Sequence, residues 1–204
     1  MQYSPLKYKF LAAEKISARP TIILFHGNNG SENDLLPLAT WFAYDINILS
    51  VRGNTCETGP TNFINDHKDE AELIFRTNEL ILFLKNFIVE NKISDKKIVA
   101  MGFSNGADII NYSLTLFPDF FTSVVLMRTQ SFLWLTTTFS SLKNTPVLIS
   151  TGKNDERVVE KEISDWAEKL KQNNFEVEHF ILDEGHNLSQ KDIDMAVSWM
   201  ARRR

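Results

Sequence analysis

A serine lies between two glycines in the segment Gly102-Phe103-Ser104-Asn105-Gly106, directly after an apolar run and before a helical pattern. This order predicts a nucleophile elbow, a sharp strand-to-helix turn that exposes the serine hydroxyl. At the start of the helix the Asn105 N–H is free to donate a hydrogen bond to a developing oxyanion. The alternative is a plain strand-to-helix loop with a capping serine, and the pattern alone does not decide between the two.

A serine nucleophile needs a base and a group that orients the base. We predict that His186 is the base, because it lies in a Gly-His turn between the last predicted strand and the last helical pattern. His179 lies inside a predicted strand, where we expect it to face solvent or a polar neighbour. His67 lies in a long loop, where it contacts either substrate or solvent.

We predict that Asp155 is the acid that orients the base, because it comes just after a predicted strand. Asp183 is an alternative, since it lies three residues before His186 and can reach it locally. A purely structural role is also open for Asp155, because aspartate often forms turns or caps helices.

A second oxyanion donor is expected in the segment His26-Gly27-Asn28-Asn29-Gly30, which follows the first strong apolar run. We assign this donor to the backbone N–H of Asn28, with that of Asn29 as the alternative. The glycines permit a tight backbone path, and we expect His26 to hold the loop by hydrogen bonding. An ordinary Gly/Asn turn is the structural alternative.

Apolar runs and helical patterns alternate along the chain, which predicts one α/β domain over residues 1–204 with a mainly parallel sheet. The predicted strands are residues 21–25, 46–51, 97–103, 121–127, 146–151 and 175–182, with a further edge strand within residues 6–13. Helical periodicity covers residues 35–42, 73–87, 163–170 and 193–200, and a further helix follows Ser104 and ends at Pro118. Asn33 is the expected cap of the first helix.

Two long connections, residues 52–68 and 128–144, follow predicted strand ends, where open α/β sheets bind their ligands. We expect apolar side chains of these loops to form a wall around an acyl chain: Phe63, Phe132, Leu133 and Trp134.

Composition limits the classes of partner and compartment. The net charge of −4 argues against nucleic acid, and Cys56 is the only cysteine, so no intrachain disulfide forms. Neither a signal peptide nor a membrane-spanning run is visible, so we expect a cytoplasmic protein without stable membrane insertion.

The ordered motifs "LFHGNNGSENDLLPLA", "VRG", "RTNELILFL", "MGFSNGADII" with "LFPDFFTSVVLMR", "STGKNDERV" and "EGHNLS" resemble the α/β-hydrolase superfamily. They are most similar to its small carboxylesterase/phospholipase branch, which includes acyl-protein-thioesterase-like enzymes. The resemblance implies a central sheet with helices on both faces and a minimal cap domain or none. It also implies a serine hydrolase that cleaves small-molecule carboxylic esters or thioesters through an acyl-enzyme at Ser104, without a metal or organic cofactor. The triad would be Ser104, Asp155 and His186, with oxyanion donors at Asn28 and Asn105, and a homodimer is left open.

The chain departs from this family in both long loops. The first reads "GNTCETGPTNFINDHKDE" and has Phe63 as its only aromatic residue, where relatives often have a Trp-Phe element. The second, "RTQSFLWLTTTF", replaces a shorter loop that contains proline. Substrate choice therefore does not follow from the resemblance. Two alternatives remain: a non-catalytic hydrolase fold used in binding or signalling, and a hydrolase of amide, lactone or C–C bonds.

Overall fold

The computed structural model describes residues 6–42, 45–56, 58, 61–95 and 97–203. Within these ranges the chain forms a seven-stranded sheet. The strands are β1 (Tyr8–Leu11), β2 (Thr21–Phe25), β3 (Asn47–Val51), β4 (Ile98–Phe103), β5 (Ser123–Met127), β6 (Pro146–Gly152) and β7 (Glu176–Leu182).

The sheet has the strand order β1-β3-β2-β4-β5-β6-β7. Strand β1 pairs antiparallel with β3, and every other pair is parallel. The carboxyl ends of β2, β4 and β5 are in register, since Phe25 lies beside Gly102 and Phe103 lies beside Met127. The segments that leave these strands therefore meet at one edge of the sheet, as expected for a ligand site in this architecture.

Helices cover both faces of the sheet. They are α1 (Glu70–Glu90), α2 (Asn105–Leu116), α3 (Glu160–Gln172) and α4 (Gln190–Ala201), with short 3₁₀ helices at Ile16–Ala18 and Leu36–Trp41. Side chains of α1, α2 and α3 share one hydrophobic cluster, and those of α4 share the other with the second 3₁₀ helix. Neighbouring residues of a strand point to opposite faces, so Ile23 lies in the first cluster and Leu24 in the second.

The predicted α/β class is confirmed: the structure is a mainly parallel sheet with helices on both faces. Each predicted strand is present, with ends that differ by at most two residues from the expected ones. The edge strand is β1. The expected small size of any cap concerns loops that include residues outside the described ranges, and it stays a prediction.

The first predicted helix differs from expectation. Leu36–Trp41 forms a 3₁₀ helix whose N-cap residue is Leu35, and no side chain caps it. The expected cap Asn33 instead bonds elsewhere, because its Oδ1 accepts a hydrogen bond from Lys9 Nζ. The prediction of an Asn33 cap was therefore wrong.

None of the helices within the described ranges combines the length and the apolar character needed to cross a membrane.

Candidate active site

Ser104 connects β4 to α2 with a backbone conformation that L-residues rarely adopt. Its φ is 51° and its ψ is −121°, a strained geometry of the kind that clusters at functional sites. A Cβ on Gly106 would lie 2.2 Å from the Phe25 carbonyl oxygen, and one on Gly102 would lie 2.5 Å from the Gly106 carbonyl oxygen. Backbone atoms fill both spaces, so the turn requires glycine on each side of the serine.

His186 bridges Ser104 and Asp155. Its Nε2 lies 2.9 Å from Ser104 Oγ, and its Nδ1 lies 2.9 Å from Asp155 Oδ2 and 3.0 Å from Oδ1. The Asp155 carboxylate is completely buried, whereas 15% of the imidazole surface is exposed. An ionised carboxylate only accepts hydrogen bonds, so we assign the ring proton to Nδ1 and leave Nε2 free to accept the serine hydroxyl proton.

Backbone donors hold the Asp155 carboxylate in place. Its Oδ1 accepts hydrogen bonds from the Arg157 N–H at 2.8 Å and from the Val158 N–H at 3.2 Å. The alternative acid, Asp183, faces another partner, because its Oδ1 accepts a hydrogen bond from Asn154 Nδ2 at 3.1 Å. Of the two candidate acids, Asp155 is the one in contact with the imidazole of His186.

His26 fixes the loop that follows β2. Its Nδ1 lies 2.7 Å from the Gly27 carbonyl oxygen, and its Nε2 lies 3.0 Å from the Gly53 N–H, which donates to it. This pattern assigns the proton to Nδ1, because a carbonyl accepts and an N–H donates. Burial lowers the pKa of His26, which is consistent with a neutral ring that links the loop to the segment after β3. The expected holding role matches these contacts.

The backbone N–H groups near Ser104 differ in whether they have a partner. The Asn29 N–H donates to Asn62 Oδ1 at 2.7 Å, so this alternative oxyanion donor is already engaged. The N–H groups of Asn28 and Asn105 have no hydrogen-bond acceptor among the described residues. The Asn105 side chain is anchored separately, because its Oδ1 accepts the Phe63 N–H at 2.7 Å. Among the described residues, the N–H groups of the two predicted donors, Asn28 and Asn105, are thus available to bind an oxyanion.

The four residues expected to form an apolar wall lie in two different environments. Phe63 and Phe132 are buried in the hydrophobic core, where Phe63 packs on His26 and Phe132 packs on Trp166. Tight packing removes these two rings from the open surface, so the expectation of a substrate wall is corrected for them. Leu133 and Trp134 remain 37% and 42% exposed.

A small cavity lies between the segments after β5 and β6. Its lining includes Gln130, Ser131, Arg157, Val158 and Glu162, and its volume is about 40 Å³. This is room for one or two water molecules. None of the residues that line this cavity is Ser104, Asp155 or His186.

Asp108 was missed by the sequence reasoning, although it joins both long loops. Its Oδ2 lies 2.8 Å from His67 Nε2 in the first loop, and its Oδ1 accepts the Gln130 N–H at 2.7 Å in the second. Burial lowers the pKa of His67, but the hydrogen bond and charge of Asp108 outweigh it, and the net pKa is raised. The sequence does contain an indication that Asp108 lies near the site, because it follows Ser104 by four residues, or one helical turn. In the structure, the Asp108 N–H donates to the Ser104 carbonyl.

His179 is the remaining histidine, and it faces a polar neighbour as expected. Its Nε2 lies 2.8 Å from Thr151 Oγ1, and burial lowers its pKa. It takes no part in the contacts around Ser104.

The same architecture occurs in known esterases. The crystal structure of a Bacillus cereus carboxylesterase superimposes with a TM-score of 0.90, is 31% identical, and matches 98% of this chain and 95% of its own. The chain belongs to the carboxylesterase branch of the α/β-hydrolases. As a member of this branch, it is an esterase-type hydrolase.

Two further proteins are similar to the chain, the first in sequence and the second in fold. The Bacillus subtilis (strain 168) protein named "Putative hydrolase MhqD" is 27% identical to this chain over 190 residues, which are 91% of this chain and 94% of that protein. A Mesorhizobium loti carboxylesterase shares the fold, with a TM-score of 0.87 and 21% identity over 97% of this chain and 95% of its own. No family model matches the chain.

Proposed function

We propose that this carboxylesterase-branch protein cleaves carboxylic esters or thioesters through an acyl-enzyme on Ser104. The observation that carries the proposal is the continuous hydrogen-bonded chain from Ser104 Oγ through His186 to the buried Asp155 carboxylate. Serine is not nucleophilic by itself, and such a chain supplies both a base and a group that orients the base.

In the first half of the reaction, His186 Nε2 takes the Ser104 hydroxyl proton while Oγ attacks the carbonyl carbon of the substrate. The resulting imidazolium is stabilised by the Asp155 carboxylate, 2.9 Å from Nδ1. His186 then gives the proton to the leaving alcohol or thiol as the bond to the acyl carbon breaks. In the second half, His186 takes a proton from the water that attacks the acyl carbon, and it returns this proton to Ser104 Oγ as the bond between Oγ and the acyl carbon breaks and the acid product leaves.

The oxyanion of each tetrahedral intermediate needs donors that are already in place. We assign the backbone N–H groups of Asn28 and Asn105, which have no protein acceptor within the described ranges. Removal of one such donor costs about 3 kcal/mol of transition-state stabilisation in comparable enzymes. The hydrogen bonds of His26 and of the Asn29 N–H keep the Asn28 segment from rearranging during the reaction.

The exposed side chains of the second long loop are the remaining candidates for contact with the acyl or alcohol part of the substrate. Leu133 and Trp134 offer apolar surface there, whereas the core rings Phe63 and Phe132 support the loops from below. Every group that the proposed reaction uses belongs to the chain or to water, so it requires no metal or organic cofactor.

The test is Ser104→Ala, assayed on a short p-nitrophenyl ester. We expect turnover to fall about 10⁴- to 10⁶-fold, as in other serine hydrolases that lose the nucleophile. The control is Ser164→Ala, because the only partner of the Ser164 hydroxyl among the residues that the structure describes is the Glu160 carbonyl within α3. A fluorophosphonate probe is expected to label the parent and the control protein but not Ser104→Ala. Unlabelled parent protein, or full turnover by Ser104→Ala, would refute the proposal, and an inert Ser104 would favour a binding protein.

A further inference from the structure

Arg128 is completely buried, although arginine is among the residues that rarely lose all contact with water. It directly follows β5, and its φ of 58° lies in the left-handed region that L-residues seldom use. Its guanidinium pairs with Asp192 through two bonds, Nη1 to Oδ1 at 2.6 Å and Nη2 to Oδ2 at 2.9 Å. Both side chains have no exposed surface.

Stability alone does not account for this ion pair. The cost of removing both charges from water offsets much of their attraction, and apolar replacements are often as stable. The geometry of the remaining guanidinium nitrogen suggests a second role. Arg128 Nε donates to the Gly185 carbonyl oxygen at 2.8 Å, and that carbonyl belongs to the peptide bond that leads into His186.

The Gly185 carbonyl is confined from a second side. A Cβ on Gly152 would lie 2.4 Å from this oxygen, so β6 passes directly beneath it. Close packing prevents movement toward β6, and the Arg128 Nε hydrogen bond prevents movement away from the sheet. The direction of the peptide bond before His186 is therefore fixed, and with it the position of the His186 Cα.

The same ion pair also holds the far end of the His186 segment. Asp192 Oδ2 accepts the Ser189 N–H at 3.0 Å and the Ser189 hydroxyl at 2.8 Å, which forms the first turn of α4. Arg128 thus contacts residue 185 directly and residue 189 through Asp192. The short stretch that carries the imidazole is anchored at both ends.

Arg128 is also connected to the nucleophile. The Met127 carbonyl oxygen accepts the Ser104 N–H at 2.8 Å, and the Arg128 N–H donates to the Ser150 carbonyl oxygen at 2.9 Å. One pair of adjacent residues at the end of β5 therefore contacts the nucleophile turn through its backbone and the His186 segment through a side chain.

We propose that Arg128 is a positioning residue, which sets the distance between His186 Nε2 and Ser104 Oγ through its hydrogen bond to the Gly185 carbonyl. This inference rests on the proposed function. Displacement of a catalytic group by about 1 Å can reduce the rate about 100-fold, so loss of this bond is expected to lower kcat. Substrate binding does not involve Arg128, so KM is expected to change little.

Three variants separate positioning from stability. Arg128→Lys keeps the positive charge beside Asp192 but lacks a donor at the position of Nε. Arg128→Met with Asp192→Asn leaves no buried charge unpaired and keeps an acceptor oxygen for Ser189. The matched control, Asp192→Asn alone, disturbs the same ion pair but leaves Nε free to donate to the Gly185 carbonyl.

We expect a 10- to 100-fold lower kcat, with KM within about twofold, in Arg128→Lys and in the double variant. Asp192→Asn is expected to melt at a lower temperature and to lose less kcat than either Arg128 variant, because its amide oxygen still accepts from Ser189 and Arg128 Nε still donates to the Gly185 carbonyl. The downfield NMR signal of the His186 Nδ1 proton should persist in Asp192→Asn and weaken in both Arg128 variants.

The inference is overturned if the folded Arg128 variants keep the parent kcat, or if Asp192→Asn loses as much kcat as they do. If Arg128→Lys does not fold, the charge-balanced double variant gives the answer by itself. A failure of the proposed function would be visible in the parent protein, as the absence of fluorophosphonate labelling. A failure of this inference would be visible only in the variants.

Discussion

Replacement of Asp155 by asparagine is expected to move the ring proton of His186 from Nδ1 to Nε2 without changing the positions of the side chains in the site. Asp155 Oδ1 accepts two backbone N–H groups, so this position must remain an oxygen in the variant. The new NH₂ group then occupies the place of Oδ2, 2.9 Å from His186 Nδ1. Two donors cannot face each other there, so the ring proton moves to Nε2.

An imidazole with its proton on Nε2 cannot accept the proton of Ser104. In a comparable triad, the same substitution leaves the geometry intact and lowers kcat about 10⁴-fold. Because the oxygen kept at the Oδ1 position lies 3.0 Å from His186 Nδ1 and can still accept a proton from it, we expect a loss of about 10³- to 10⁴-fold. This loss corresponds to about 4–5.5 kcal/mol in activation free energy.

The assay is kcat/KM for a short p-nitrophenyl ester, measured with the melting temperature of each variant. The control is Asp183→Asn, since Asp183 bonds to Asn154 and makes no contact with the imidazole. We expect the control to stay within about threefold of the parent. A large loss in Asp183→Asn, combined with near-parent turnover in Asp155→Asn, would show that the orienting acid has been misassigned.

The remaining predictions concern stability. Gly106→Ala would place a Cβ 2.2 Å from the Phe25 carbonyl oxygen, so we expect the free energy of unfolding in urea to fall by about 1–3 kcal/mol or more. The control is Gly185→Ala, whose Cβ would have its nearest contact at 3.7 Å, and it should lose less stability. Equal losses in the two variants would contradict the packing argument. The pKa of His67 is raised above 6.5 by Asp108, so its contribution to the free energy of unfolding is full below pH 6.5 and is lost as the pH rises through the folded-state pKa. His67→Gln should remove this part of the pH dependence, and an unchanged pH profile in the variant would exclude the Asp108 pairing as its source.

Local patterns in the sequence were sufficient to predict the strands, because parallel strands that are covered on both faces consist of continuous apolar runs. The Ser104 elbow was equally predictable, because the glycine on each side of the serine indicates that the backbone is closely packed at this turn. The sequence did not predict which type of helix residues 36–41 form. Leucine spacing predicts a helical face but does not separate an α-helix from a short 3₁₀ helix.

Contacts between distant segments were the part that the sequence did not predict. Arg128 and Asp192 are 64 residues apart, and no local pattern marks either as buried. Likewise, Phe132 belongs to a loop without helical or strand periodicity but packs on Trp166 of α3. Whether an aromatic residue faces the core or a ligand depends on how loops cross the sheet, which periodicity does not encode.

The imidazole reaches Ser104 from a segment that follows β7, one of the two edge strands, whereas Ser104 itself leaves β4 at the centre of the sheet. Segments at the edge of a fold unfold locally at a smaller cost in free energy than segments at its centre. Mild warming should therefore abolish activity by local unfolding of the segment that carries His186, while amide protons of the central strands still resist exchange with solvent. Cooling would then restore activity without refolding of the core, so the working temperature range is set by the periphery of the sheet.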